Sequence, residues 1–395
     1  MSHLLSVPRS PRYQSLDLWR GVACLAVVIY HSALYGLFQY DGVASRIPTS
    51  GIAGTVMNLA KHGREGVTLF FVISGYCIAT TVDRSRRRPQ PCKAYFERRL
   101  RRIYPPYWIA IALTAVSVAL VSAVGRGDLF SHSLAFGNEI PSPAQLSIGQ
   151  WLGNLSLIET WRRHLGGTDR FFLGHAWTLC YEEQFYAVFG LLLWLCPTRI
   201  FVGTLAVSVL TAFTYLLPDT LSVSGTFLDG RWLIFAIGIG VYYAINYAGK
   251  TARFAYVIGL LVVAALVKYL SIPNLATEFF VGSTFGALLV VLHHWDTPIA
   301  RLKILQPLQF CGIICYSLYL VHWPVAKLTS HLLYEGGVTS SWQTLLVSVP
   351  VGVAASLLVA VPFHQLVERR FLNPSTHPQA QTTGELQRMG AELAI

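Results

Sequence analysis

Arg20 and His31 stand eleven residues apart in an otherwise apolar stretch, 16 to 37. At about 100° per residue they return to nearly the same helix face, and at about 1.5 Å of rise per residue they lie about 16 Å apart along it. Such a face offers a cation at one end and, at a fixed distance, an imidazole that titrates near neutral pH and can take the proton of a hydroxyl. Thr178, Glu182 and Tyr186 recur at spacings of four and form one polar stripe. Glu183 projects about 100° away, so Glu182 is the carboxylate expected on the stripe. Ser74 falls midway along another apolar stretch, and Tyr319 aligns with His322 on a further one. Ionisable groups inside apolar spans cost several kcal/mol unless paired or facing water, which makes them functional candidates. Ordinary interhelical hydrogen bonds, worth about 0.6 kcal/mol each, would explain single polar residues but not two histidines and a carboxylate in one layer. No Gly-x-Ser-x-Gly elbow occurs and no base neighbours Ser74 in sequence, so a covalent serine route is not the one expected. Arg99 and Arg102, three apart, can grip phosphate through forked, charge-assisted hydrogen bonds, with Arg20 at similar depth. Arginines there would equally anchor anionic headgroups.

The composition says what must position these groups. Of 395 residues, 53% are hydrophobic and 12% charged, against about 25% charged in a soluble domain. With a mean hydropathy of +0.49, a water-soluble monomer is excluded and one integral membrane domain is expected. Stretches long enough to span lie at about 16–37, 66–82, 104–124, 175–196, 199–217, 229–247, 253–271, 276–294, 307–330 and 342–364. The expected fold is therefore all-α, a polytopic bundle of about ten transmembrane helices over residues 1–372. A disordered cytoplasmic tail is expected over 373–395. Arg84, Arg86, Arg87, Arg88, Lys93, Arg98, Arg99, Arg101 and Arg102 crowd one inter-span segment. That places it, and both termini, on the cytoplasmic side of an inner or plasma membrane.

The formal charge of +11 does not make a nucleic-acid partner, because the basic residues cluster in short segments between apolar runs rather than along a duplex-following surface. Membrane lipids are the expected surroundings. Six of the cysteines, Cys24, Cys77, Cys180, Cys196, Cys311 and Cys315, sit in apolar stretches, so neither a disulfide framework nor a metal site is expected. The loop at about 125–174 carries Trp151, Trp161, Arg162, Arg163 and His164, which suit a headgroup belt or contacts to sugar rings.

The stretches LDLWRGVACLAVVIYH (16–31), FFVISGYCIA (70–79), RRLRRIYPPYW (98–108), WTLCYEEQFY (177–186) and YSLYLVHWPV (316–325) resemble, in order and over nearly the whole chain, the acyltransferase-3 family of membrane acyltransferases. Its arginine, ten residues, histidine signature falls on Arg20 and His31, its Arg-x-x-Arg on Arg99 and Arg102, and its Glu-Glu-Gln-Phe-Tyr on Glu182 to Tyr186. The chain departs from the family pattern at Cys180 for Ser, Trp19 for Leu and Arg370 for Pro. The resemblance implies O-acylation, commonly O-acetylation, from acyl-CoA to a surface glycan, glycolipid or small-molecule hydroxyl such as a macrolide.

On that footing Arg20, Arg99 and Arg102 are the expected CoA phosphate ligands, and His31 the general base with Glu182 orienting or charging its ring. Tyr319 and His322 donate to the oxyanion or position the acceptor, and Ser74, Trp177 and Tyr186 bind substrate. No SGNH-type domain follows, so transfer is expected within the membrane domain or with a separate partner. Two rivals are a non-catalytic receptor and a transporter or flippase of a glycan or lipid intermediate. The second predicts internal repeats and broken helices, neither of which is evident in the sequence.

Overall fold

The structure is a computed structural model that describes residues 13–38, 51–86, 91–131, 139–215, 223–270 and 276–372. The expected tail at 373–395 and the first twelve residues lie outside the described residues. All regular structure among the described residues is helical. The main helices are α1 Leu16–Phe38, α2 Gly66–Ser85, α3 Pro91–Ala123, α4 Trp177–Leu195, α5 Ile200–Tyr215 and α6 Arg231–Asn246. They continue with α7 Lys250–Tyr269, α8 Ala276–Leu292, α9 Gln306–Ile313, α10 Cys315–Glu335 and α11 Val349–Phe363.

Seven helices among the described residues are long and apolar enough to cross a membrane, or up to eight if a bent pair counts as one. Their outward side chains remain apolar: Leu261, Val262, Val263 and Leu266 of α7 are all exposed. Water would not tolerate so continuous an apolar surface, whereas lipid covers it without cost. Lipid supplies no hydrophobic drive between helices, so close backbone approach has to hold the bundle together. Two glycine pairs provide it. A Cβ on Gly312 would lie 1.6 Å from the Asp17 carbonyl oxygen and one on Gly21 1.8 Å from that of Leu308, which joins α1 to α9. Gly75 and Gly238 do the same for α2 and α6, against the carbonyls of Phe235 and Val72 at 2.0 and 1.9 Å.

Two sequence expectations need correction. Helix α3 starts at Pro91, well before the expected span at 104. Lys93, Arg98, Arg99, Arg101 and Arg102 are therefore helical rather than part of a loop, and the last four approach the bundle on a rigid element. The span expected at 307–330 is broken: the helix ending at Ile313 and α10 meet at 74° around Ile314. Apolar continuity through Cys311 and Cys315 concealed the break. It turns Cys315 toward α1, where the Cys24 thiol reaches its carbonyl at 3.7 Å.

Candidate active site

Helices α1 and α2 run antiparallel, since Arg20 meets Cys77 while the neighbourhood of Ala23 meets Gly66. Helix α6 runs with α2, because Gly75 meets Phe235 and Asp83 meets Tyr242. Together with α4 and α10 these helices enclose a cavity of about 1230 Å³. Its lining includes Arg20, Arg99 and Arg102, then Ser74, Glu182 and Tyr186, then Tyr319, His322, His31 and His175. The residues singled out in sequence on five separate helices thus face one space, Trp177 among them.

At the arginine end, Arg20 donates to Asp17 Oδ1 at 2.8 Å and lies 2.9 Å from Cys77 Sγ. Arg99 donates to the Tyr186 hydroxyl at 3.3 Å and stacks over its ring, 4.5 Å from the centroid. Tyr186 in turn donates to Glu182, as does Ser74. The hydroxyls of Thr80, Thr81 and Ser85 on α2 bond their own helix backbone. Ser74 differs by crossing to a carboxylate. Glu182 therefore has Ser74 and Tyr186 as its hydrogen-bond partners, not His31, and the expected role of orienting that imidazole does not follow from its position. One turn of α4 separates Glu182 from Thr178, which places it about 6 Å short of the histidine layer.

The partner of His31 is His322. Nδ1 of His31 lies 3.1 Å from the Val27 carbonyl and 3.2 Å from Nε2 of His322. Nδ1 of His322 faces the carbonyls of Tyr319 at 2.7 Å and Leu318 at 3.1 Å. A carbonyl can only accept, so these contacts assign the proton to Nδ1 of both neutral rings. His322 Nε2 then accepts from His31, and the lone pair of His31 is left on Nε2, the atom a general base needs.

Tyr319 points away from that pair. Its hydroxyl donates to the His175 carbonyl at 2.7 Å and lies 2.8 Å from Thr178 Oγ1. Its proton is committed to that carbonyl, so the expected donation to an oxyanion is not what the geometry provides. His175 was missed in the sequence. It opens the span expected at 175–196, just ahead of the WTLCYEEQFY stretch and beside a loop rich in Arg and His. In the fold its ring packs 5.1 Å from His322, 4.7 Å from Tyr319 and 5.6 Å from Trp323.

Beyond the histidines, Arg231 pairs with Asp229 at 2.9 Å and lies over the rings of Trp177 and Tyr181 at 5.2 and 4.9 Å. The basic and aromatic residues of the 125–174 loop hold the loop and tie it to its neighbours, Arg163 and His164 reaching Ser224 and Arg126 reaching Glu335. Arg162 binds Glu159 at 2.7 Å, Arg163 binds Asp169 at 2.8 Å, and Trp151 donates to the Pro143 carbonyl at 3.1 Å. The hydrogen-bonded Glu159 carboxylate holds the Arg162 guanidinium above its usual pKa. All seven cysteines are free. Among the described residues, Asp128, His331 and Glu335 bring possible metal-ligand atoms within 4.8 Å of one another. Arg126 already answers that charge, with Nη2 at 2.7 and 2.8 Å from the two Glu335 oxygens.

The chain is similar to known proteins over most of its length. A protein-family model described as "Acyltransferase domain" matches residues 13–364. A protein of Komagataeibacter xylinus named "putative membrane-bound transacylase" is 27% identical over 335 residues, covering 82% of this chain and 75% of that protein. A Listeria monocytogenes protein named peptidoglycan O-acetyltransferase is 22% identical, covering 91% of this chain and 56% of its own length. A Bacillus subtilis protein named "putative peptidoglycan O-acetyltransferase" is 23% identical over 76% of this chain and 50% of that protein. The chain thus spans about half the length of these two O-acetyltransferases. No solved structure matches the chain significantly.

Proposed function

Because the chain belongs to the acyltransferase-3 family, we propose that it moves an acyl group, acetyl in the simplest case, from acyl-CoA to a hydroxyl of a cell-envelope carbohydrate or a related small molecule. The observation that carries this reading is the single cavity that joins the guanidinium cluster to the imidazole pair. Arg20 to His31 on α1, and Tyr186 to His175 on α4 and the turn before it, both span eleven residues. Two helices thus set the arginine and histidine layers about 16 Å apart.

Arg99 and Arg102, with Arg20 beside them, hold the CoA phosphates by charge-assisted hydrogen bonds. The pantetheine arm runs along the cavity past Ser74, Glu182 and Tyr186, whose oxygens suit its amide groups. The thioester arrives at the histidines. Nε2 of His31 takes the proton of the acceptor hydroxyl as that oxygen attacks the acyl carbon, while His322 and the Val27 carbonyl keep the ring turned. Trp177, near the Arg231 end, meets the acceptor. With the arginine-rich end of α3 on the cytoplasmic face, donor and acceptor enter from opposite sides of an inner or plasma membrane. Helices α4 and α6 then complete about ten crossings, and both termini are cytoplasmic. A surface glycan fits the names of the Listeria and Bacillus relatives.

The test is purified protein mixed with labelled acetyl-CoA and a panel of short glycans, macrolides and simple alcohols. Label on an acceptor is expected. The broken α9–α10 span favours transport instead, and movement of a glycan across vesicles with no label transferred would replace this reading with that one.

A further inference from the structure

His175 is only 6% exposed, and neither of its ring nitrogens completes a hydrogen bond among the described residues. A buried polar group left in that state destabilises the fold, so its presence asks for a reason. Packing does not provide one, because a phenyl ring would make the same contacts. The Tyr319 carbonyl lies near the ring and accepts from His322 Nδ1 at 2.7 Å, yet no hydrogen bond to either nitrogen of His175 is completed.

The surroundings hold the ring without using its nitrogens. Its backbone carbonyl accepts from Tyr319 at 2.7 Å and from Thr178 at 3.3 Å. Its ring meets Tyr319 and Trp323 edge to face. Gly174 beside it has to lack a Cβ, which would stand 2.4 Å from the Trp323 ring. The result is a fixed imidazole with uncommitted nitrogens, lining the cavity next to the base pair.

We infer that His175 is the oxyanion donor of the transfer, a role that the committed hydroxyl of Tyr319 and Nδ1 of His322 leave unfilled. The inference rests on the acyl-transfer reading above. The acceptor oxygen attacks the acyl carbon and gives its proton to His31 Nε2. The carbonyl oxygen becomes an oxyanion and accepts from the neutral N–H of His175. Collapse re-forms the carbonyl and breaks the C–S bond, and the leaving thiolate takes the proton back from His31. The products are the ester and free CoA thiol, and His175 ends as it began.

The experiment compares the full-length wild type with His175→Phe and His175→Asn in detergent. It follows CoA thiol release from acetyl-CoA against short β-linked glucans, N-acetylglucosamine oligomers and simple alcohols, alongside thermal unfolding. His175→Phe should lower kcat by about a hundredfold or more, the usual effect of removing one oxyanion donor. KM for acetyl-CoA should stay unchanged and the unfolding temperature equal or raised, since an unsatisfied buried polar group has gone. His175→Asn, which retains an N–H, should recover part of the loss. A His175→Phe enzyme as fast as wild type, or one whose activity and unfolding temperature fall together, overturns the inference and leaves the acyltransferase reading standing. A wild type that releases no CoA thiol with any acceptor removes both.

Discussion

Nε2 of His322 lies 3.2 Å from Nδ1 of His31, and each Nδ1 faces a backbone carbonyl of its own helix. The two rings form a relay with a direction, because the carbonyls fix which nitrogens carry hydrogen. His31→Ala should therefore lower acyl transfer by about 10²–10⁴-fold, the usual weight of a general base, with expression intact. His322→Ala should cost less, since Val27 still holds the His31 proton in place. Near-normal turnover in His31→Ala would falsify the assignment.

Arg99 and Arg102 line the same cavity but differ in what else they touch. Arg99 also supports Tyr186, and through it Glu182. Arg102→Ala should raise KM for acetyl-CoA by about 10–100-fold, matching the loss of a hydrogen bond to a charged group of about 1.5–3 kcal/mol, and leave kcat close to wild type. Arg99→Ala should impair both. Steady-state kinetics with acetyl-CoA varied would read this out, and an effect of Arg102→Ala on acceptor KM alone contradicts the phosphate-binding role.

The contact between Gly312 and the Asp17 carbonyl leaves no room for a methyl group. Gly312→Ala should destabilise the protein by about 1–3 kcal/mol, as overpacking does. It should also disturb Arg20, because Asp17 both makes the contact and holds that guanidinium. Unfolding in graded denaturing detergent measures the first effect, and a variant as stable as wild type would show that α1 and α9 pack less tightly than described.

Cys77 and Cys24 both line the cavity, but Cys77, 2.9 Å from Arg20, is partly exposed whereas Cys24 is buried. Saturating CoA should slow maleimide modification of Cys77 severalfold, scored by peptide mass mapping. Equal rates with and without CoA would place the nucleotide elsewhere.

Much of the site was legible because helix periodicity is strict. Eleven residues between Arg20 and His31, and four between Glu182 and Tyr186, return side chains to one face whatever surrounds them. Pairing between helices was not legible. Glu182 lies a turn away from the histidines, and only the packing of α2 against α4 shows that its partner is Ser74. That also supplies the neighbouring base which the sequence around Ser74 lacks. The break at Ile314 was hidden because hydropathy reports how apolar a segment is and says nothing of its direction. His175 escaped notice because it stands at the very start of an expected span, next to a loop, while its neighbours in space come from α1 and α10.

The glycine contact that binds α1 to α9 has a bearing on how cargo would cross the bilayer. A helix fastened backbone to backbone is a poor rocker arm, so under the proposed reaction neither the nucleotide nor the acceptor would have to be swung from one leaflet to the other. Only the acyl fragment would change sides, handed over at a stationary imidazole, and the membrane would stay sealed to everything larger throughout the cycle.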